Sequence, residues 1–375
     1  MQIEKNMDCQ ARTRLSYLFD DGKYTEINSY AKENDCLTGV VTAYGYVNGN
    51  AVYAFSQDKS INNGAVGPAH AAKIAKLYSL AAKTGTPVIG IHDSNGAFVN
   101  GTAESLTAYG ELINAASVIS GVVPQISVVA GTCAGSAALF ACSSDFIIMT
   151  KDAEFFMTPA FTKENSGSAS DAAANGIAAA VCDDDKAAIE KAKELINLMP
   201  VNNLAPLPMF EYNEPETAVS ADFNSLINGV CDAESIIELY AEFGKASYTA
   251  LATVNGATVG IAATNKTSDK LTDADCSKLS RFIRTCDAFA VPVITFVDTE
   301  GFDAADAISG VKSMTQLANC YAEATTAKIS VITGKAVGPA FIALAGKDIS
   351  SDFTYIWESC LLYTSDAADD SLRVD

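Results

Sequence analysis

The sequence predicts an α/β protein in which one strand–helix unit occurs twice in tandem. Three observations carry this. The chain has 375 residues, more than one hydrophobic core usually serves, so two domains are expected. Short apolar strands alternate with amphipathic helices, the pattern of mostly parallel sheets. Residues 48–149 and 255–357 repeat one another at a nearly constant offset.

Asn48-Gly49 between two apolar runs predicts a hairpin turn, and Asn255-Gly256 repeats it 207 residues later. Ile74, Leu77, Tyr78 and Ala81 then form one buried helical stripe. Their counterparts 205 residues on are Leu279, Phe282, Ile283 and Cys286. A short strand follows, 87–93, ending on Asp93; 292–298 repeats it and ends on Asp298. Both run into turns containing glycine, Gly96 and Gly301. A second helix is predicted to bury Leu106, Tyr109, Leu112 and Ala116, and its copy Val311, Met314, Leu317 and Tyr321. The strands 126–130 and 329–333 lead into Gly-rich turns, 131–136 and 334–339. Each unit closes on the same tripeptide, Ser144-Asp145-Phe146 and Ser351-Asp352-Phe353.

The first copy continues through the Ala-, Gly- and Ser-rich segment 166–180. Asp183, Asp184 and Asp185 then start a helix bearing Ala188, Ala192, Leu195, Ile196 and Met199. Four prolines between Pro200 and Pro215 predict an interdomain linker. The second copy has no counterpart to this continuation. The last residues, 360–375, show neither helical nor strand periodicity and resemble translated sequencing adaptor. A non-native tail on a natural protein that is longer is therefore expected, with residues 361–375 packing against nothing.

Apolar residues make up 49% and charged residues 19%, an ordinary globular composition, and the net charge of −20 argues against nucleic acid. No apolar run approaches the roughly 20 residues of a membrane span, and Met1 to Lys5 lack a signal-peptide pattern, so a cytoplasmic location is expected. The ten cysteines contain no C-x-x-C pair, and no metal site is expected. Only His70 and His92 are available for histidine chemistry, and both fall where a structural role is expected, at a helix start and at a strand end.

Several strings, in order along residues 10–359, resemble one family. Ala11-Arg12 through Leu18-Phe19-Asp20-Asp21-Gly22 resembles its opening helix, and 39–45 with Ser56-Gln57-Asp58 its first strands. Residues 69–74 resemble its first long helix, and 120–127 the signature before its first oxyanion turn. Residues 281–289 and 321–325 are similar to strings of its second half. The family is the carboxyltransferase subunits of biotin-dependent acyl-CoA carboxylases and decarboxylases, of the propionyl-CoA carboxylase beta and methylmalonyl-CoA decarboxylase alpha type.

The resemblance implies tandem crotonase-like domains of the ClpP/crotonase superfamily. The divisions are an N-terminal helical segment 1–38, a first carboxyltransferase domain 39–200, a linker 201–244, an incomplete second domain 245–359 and the tail 360–375. It implies carboxyl transfer between biotin and the α-carbon of an acyl-CoA, through two enolates held by backbone N–H groups. Gly135 and Ser136 would hold the thioester oxygen, both N–H groups facing a cleft. Pro339 and Ala340 hold the corresponding positions for biotin, with Pro339 lacking an N–H. Asn95, Gly96, Ala97, Phe98, Gly338, Phe341 and Ile342 would line the substrates, Ile342 at the acyl pocket. Implied partners are a biotin carboxyl carrier protein bearing carboxybiotin and biotin carboxylase or membrane decarboxylase subunits. A homo-oligomer is also implied, whose substrates meet between the first domain of one subunit and the second of another.

Four departures from the family pattern stand out. Phe98 replaces an arginine, Ser136 and Pro339 replace glycines, and the segment around Ser170 to Gly176 lacks a histidine. Phe98, Pro339 and the acidic balance keep open an alternative, a non-catalytic paralogue with a structural or assembly role. A biotin-independent crotonase-type hydratase or hydrolase fits the tandem repeat poorly, and no G-x-G-x-x-G follows a strand to suggest a dinucleotide site.

Overall fold

The computed structural model describes residues 9–33, 36–98, 102–158, 166–303, 307–347, 349–357 and 362–363. These fall into two compact units, 1–205 and 206–375.

The first unit opens with α1 (Gln10–Leu18), β1 (Tyr24–Ile27) and the small ribbon β2 (Lys32–Glu33) and β3 (Cys36–Leu37). The repeat follows as β4 (Val40–Val47), β5 (Asn50–Gln57), α2 (Pro68–Thr84), β6 (Val88–Ser94), α3 (Thr102–Val118), β7 (Gln125–Ala134), α4 (Ser136–Ala141) and β8 (Phe146–Thr150). It ends with β9 (Glu154–Phe156), α5 (Ala169–Ala174), β10 (Ala180–Cys182) and α6 (Asp185–Leu198). The sheet order is β1-β4-β5-β6-β7-β8-β10, with β9 pairing β7. Only β1–β4 and β4–β5 are antiparallel; β5 through β10 run parallel.

The second unit contains α7 (Phe223–Val230), β11 (Ile237–Leu239), β12 (Tyr248–Val254), β13 (Ala257–Ala263), β14 (Lys270–Leu271), α8 (Asp273–Ala288) and β15 (Val293–Thr299). Then come β16 (Gly301–Phe302), α9 (Ala307–Glu323), β17 (Lys328–Val337), α10 (Pro339–Ala345), β18 (Phe353–Ile356) and β19 (Leu362–Tyr363). Its main sheet is ordered β11-β12-β13-β15-β17-β18, with β19 pairing β17 and no strand beyond β18 among the described residues.

The tandem repeat is thus present in backbone detail. Asn48 and Gly49 have φ of 49° and 78°, Asn255 and Gly256 of 52° and 77°, the left-handed pair that a two-residue hairpin turn needs. Each turn is clamped by one carboxylate. Asp20 accepts from Asn48 and Gly49 N–H at 2.9 Å each, and Asp232 from Asn255 at 2.8 Å and Gly256 at 2.7 Å. Asp145 and Asp352 each accept the first N–H of the neighbouring strand, Gln125 or Lys328, at 2.8 Å. The stripes Ile74/Leu77/Tyr78/Ala81 and Leu279/Phe282/Ile283/Cys286 are buried in full. Asp184 caps α6 by accepting from Ala187 N–H.

Four expectations need correction. Leu106 and Val311 are 59% and 68% exposed. The buried stripe of α3 runs through Ser105, Ala108, Tyr109, Leu112 and Ala116, and Leu106 sits roughly 100° off its axis. In α9 Gly310 takes the place of Ser105, packed against the Phe302 ring, and displaces Val311 outward in the same way. The segment 201–244 is not a bare linker, because α7 lies in it and β11 pairs antiparallel with β12 as β1 does with β4. By the same criterion 1–38 is more than a helical segment, since β1 is a strand of the first sheet. Finally, Leu362 and Tyr363 are not free of regular hydrogen bonding. They pair in parallel with Ala336 and Val337, the place that β9 holds beside Cys133 and Ala134. Residues 358–361 and 364–375 lie outside the described residues.

Candidate functional site

At the ends of β7 and β17 the chain turns sharply into a short helix. Gly135 has φ 61° and ψ −124°, and Gly338 has φ 51° and ψ −126°. An L side chain is strained in that conformation, whatever space surrounds it. Around Gly135 the space is open: a Cβ there would meet nothing closer than 3.9 Å, so the backbone angle alone requires glycine.

The donors at these turns differ from the expected set. Gly135 gives its N–H to Phe156 O at 2.8 Å and has none left for a substrate. The β9 strand, paired with β7, presents that carbonyl. Among the described residues no acceptor faces the N–H groups of Ser136, Ala137 or Ala340. Ala137 and Ala340 occupy the same place in the two helices, as do Ser136 and Pro339. Pro339 is at the first helical position, where its fixed φ suits the helix and its missing N–H breaks no helical hydrogen bond. The first turn therefore offers two donors, Ser136 and Ala137, and the second offers Ala340. Ala137 was legible through the 203-residue offset from Ala340, but the family pattern drew attention to the glycine.

One carboxylate fixes the approach to each turn. Asp93 Oδ1 accepts from Thr132 N–H at 3.2 Å, and Asp298 Oδ1 from Lys335 N–H at 2.7 Å. A Cβ at Gly131 would lie 2.3 Å from Asp93 Oδ1, and one at Gly334 2.3 Å from Asp298 Oδ1, so glycine faces each aspartate by necessity. Each aspartate N–H is held by a polar side chain at or just past the end of the adjacent strand: Asp93 by Gln57 Oε1 at 3.1 Å, Asp298 by Thr264 Oγ1 at 2.8 Å. The counter-charges differ. Asp93 is ion-paired with buried Arg14 at 3.0 Å and reached by Lys59 at 3.7 Å. Asp298 Oδ2 accepts from the amide of Asn265 at 2.7 Å. Lys335 instead pairs with Glu300.

The expected lining residues gather in two groups. Asn95 to Phe98 form the turn after β6, pinned by Val66 through its N–H to Gly96 O and through Phe98 N–H to its own carbonyl. Gly96 abuts the end of β7, where a Cβ would meet Ala134 O at 2.7 Å. This sets Gly96 against the strand end that leads into Gly135. Phe98 and Ala97 are half-buried and Asn95 is exposed. In the second unit Gly338, Pro339, Ala340, Phe341 and Ile342 are consecutive on the turn and α10. Phe341 is half-buried and Ile342 is 53% exposed. Leu139, the counterpart of Ile342, is also exposed.

The histidines are spent on structure. His70 Nε2 lies 3.4 Å from Gln57, and His92 Nε2 lies 3.0 Å from Ser127 Oγ, edge-on to Phe55 and Phe140. Burial pushes both imidazoles down to about 3, so both are neutral at physiological pH. Neither touches the two turns. The arrangement suits chemistry in which oxygen anions form and are held by backbone N–H groups.

A family model, the carboxyl transferase domain, matches residues 7–362. Methylmalonyl-CoA decarboxylase subunit alpha of Propionigenium modestum is 34% identical, over 92% of this chain and 75% of its own. Propionyl-CoA carboxylase beta chain of Rattus norvegicus is 34% identical, over 92% and 72%. Among solved structures, the transcarboxylase 12S hexamer with hydrolysed methylmalonyl-coenzyme A is similar at a TM-score of 0.90 and 30% identity. That similarity covers 96% of this chain and 80% of the other. A single-chain long-chain acyl-CoA carboxylase shares the fold, with a TM-score of 0.84 at 22% identity. The tandem crotonase-like architecture expected from the sequence agrees with these neighbours.

Proposed function

The chain belongs to the carboxyl transferase domain family, and from that premise we propose that its two turns divide the two oxyanions of carboxyl transfer between them. The chain is the carboxyltransferase component of a biotin-dependent acyl-CoA carboxylase or decarboxylase. In the first unit, Ser136 and Ala137 N–H hold the thioester oxygen as the α-carbon gives up or accepts its carboxyl group. In the second, Ala340 N–H holds the ureido oxygen of biotin. The single observation that carries this is the paired geometry of Gly135 and Gly338, each opening a helix whose early N–H groups have no acceptor among the described residues.

The second turn fits a biotin ureido group in that Ala340 N–H, early in α10, has no acceptor among the described residues. Biotin on a partner carrier protein would supply the carboxyl group and the base for the α-proton in the carboxylating direction, and would receive the carboxyl group in the decarboxylating one. The chain's own task is to hold two oxygens. Neutral, buried His70 and His92 are not needed for proton transfer. Asn95 to Phe98 line the acyl-CoA side, with Phe98 offering an apolar ring where the family pattern has a cation. The relatives' names favour short acyl-CoA substrates, propionyl-CoA or methylmalonyl-CoA. Partners of the expected kind are a biotin carboxyl carrier protein and a biotin carboxylase or membrane decarboxylase subunit, around a homo-oligomer in the cytoplasm. Among the described residues no helix is long and apolar enough to cross a membrane.

The test is carboxyl transfer between free biotin and a panel of acyl-CoAs, followed with a labelled carboxyl group. Transfer with propionyl-CoA or methylmalonyl-CoA is expected. Acyl-CoA binding without transfer to any acyl-CoA would favour the non-catalytic alternative.

A further inference from the structure

One support of the first turn's geometry lies far from it in sequence, in the N-terminal helix. Arg14 is 4% exposed and makes a hydrogen bond from each of its three guanidinium nitrogens. Nη1 binds Asp93 Oδ2 at 3.0 Å, Nη2 binds Ala130 O at 2.9 Å and Nε binds Asp185 Oδ2 at 2.7 Å. One side chain of α1 thus ties the end of β6, the middle of β7 and the first residue of α6.

Two of these contacts bear on the turn. Ala130 O and Asp93 flank Gly131, and Asp93 in turn receives Thr132 N–H. Ser136 follows four residues later, after Cys133 and Ala134 have paired with β9 and Gly135 has given its N–H to Phe156. The strand end that aims Ser136 N–H is therefore held on one side by β9 and on the other by Asp93. The Asp93 side is held in place by Arg14. In the second unit Asp298 has the neutral Asn265 amide where Asp93 has Arg14. The two units thus share the aspartate and differ in what holds it.

We propose that Arg14 is a positioning residue for the acyl-CoA turn, acting through Asp93 on the donors Ser136 and Ala137. This rests on the assignment of that turn to the thioester oxygen. A charge-assisted, three-partner fork in a buried setting fixes geometry more tightly than a single amide. A shift of about 1 Å in a reacting group costs on the order of 100-fold in rate. Arg14 is buried and each of its guanidinium nitrogens binds a protein partner, so its effect is expected in the polarisation of the thioester and not in the capture of coenzyme A.

The experiment reads the thioester carbonyl directly. Propionyl-CoA labelled with carbon-13 at the carbonyl is bound to the full-length chain, and its stretching frequency is measured by difference infrared spectroscopy. The unsubstituted chain is expected to shift the band to lower frequency. Arg14→Met is expected to lose most of the shift and about 10- to 100-fold in kcat, with KM for the acyl-CoA changed less than about 3-fold. Arg14→Lys, which keeps the charge but not the fork, is expected to lie between. Asn265→Ala is expected to leave the thioester band where it is. A folded Arg14→Met or Arg14→Lys chain that binds propionyl-CoA with the full shift overturns the proposal. Should Arg14→Met not fold, the Arg14→Lys band decides it alone. Propionyl-CoA bound to the unsubstituted chain without any shift would remove the turn assignment and the proposal together.

Discussion

Asp93 and Asp298 occupy one position in the two units, each with its carboxylate where a Cβ on the facing glycine would have to lie. Gly131→Ala and Gly334→Ala should therefore each force an aspartate off its N–H partner. Overpacking of this kind costs about 1–3 kcal/mol. Both variants should also lower carboxyl transfer, because Asp93 and Asp298 hold the strand ends that lead to the turns. Thermal unfolding and the transfer assay check this. Either alanine variant with wild-type stability and rate would show that the aspartates move freely.

The hairpin clamps give a second comparison. Asp232 is buried and accepts three donors, Asn255 N–H, Gly256 N–H and the Thr253 hydroxyl at 2.6 Å. Asp20 accepts two N–H groups at a wetter site. Hydrogen bonds to a charged group contribute about 1.5–3 kcal/mol, and more is lost where donors are left buried. Asp232→Ala is expected to destabilise the chain more than Asp20→Ala does. Chemical denaturation of both variants, with equal losses as the contrary result, decides it.

The histidines set a pH dependence. Both have folded-state values lowered from 6.5 to about 3 by burial. Their contribution is complete above the unfolded value near 6.5 and is lost as pH falls towards 3, since only the unfolded chain takes up the protons in that window. Each histidine then contributes a slope of about 1.4 kcal/mol per pH unit. Replacing His70 with Gln should reduce the fall in unfolding free energy between pH 6 and 4. An unchanged slope would place the His70 imidazole in contact with water.

Much of this was legible in the sequence because it is periodic. The offsets of 207, 205 and 203 residues located the hairpins, the buried stripes, Asp93 and Asp298, and the glycines of the turns. What escaped depends on partners distant along the chain. Gly135 looked like a donor until β9 folded back and took its N–H through Phe156 O. Leu106 and Val311 fit a helical stripe by spacing, yet the stripe is set by Ser105 and Gly310, small residues that carry no hydrophobic signal. The prolines of 201–244 masked β11, whose three residues are too short for a periodic pattern. Arg14 gave no sign of its three partners, which lie 79 to 171 residues away.

The most direct test compares two single variants of the turns in the free-biotin transfer assay. Ser136→Pro removes a donor at the first helical position of α4, and Pro339→Gly restores one at the matching position of α10. Loss of one oxyanion donor costs roughly 10²–10³ in rate. Ser136→Pro should therefore lower kcat by about that factor, and Pro339→Gly should raise it with little change in the KM for acyl-CoA. The contrary result is an unsubstituted chain already turning over at about 10 per second, with Pro339→Gly slower and Ser136→Pro unaffected. It would mean that the early N–H groups of these two helices do not hold the reacting oxygens.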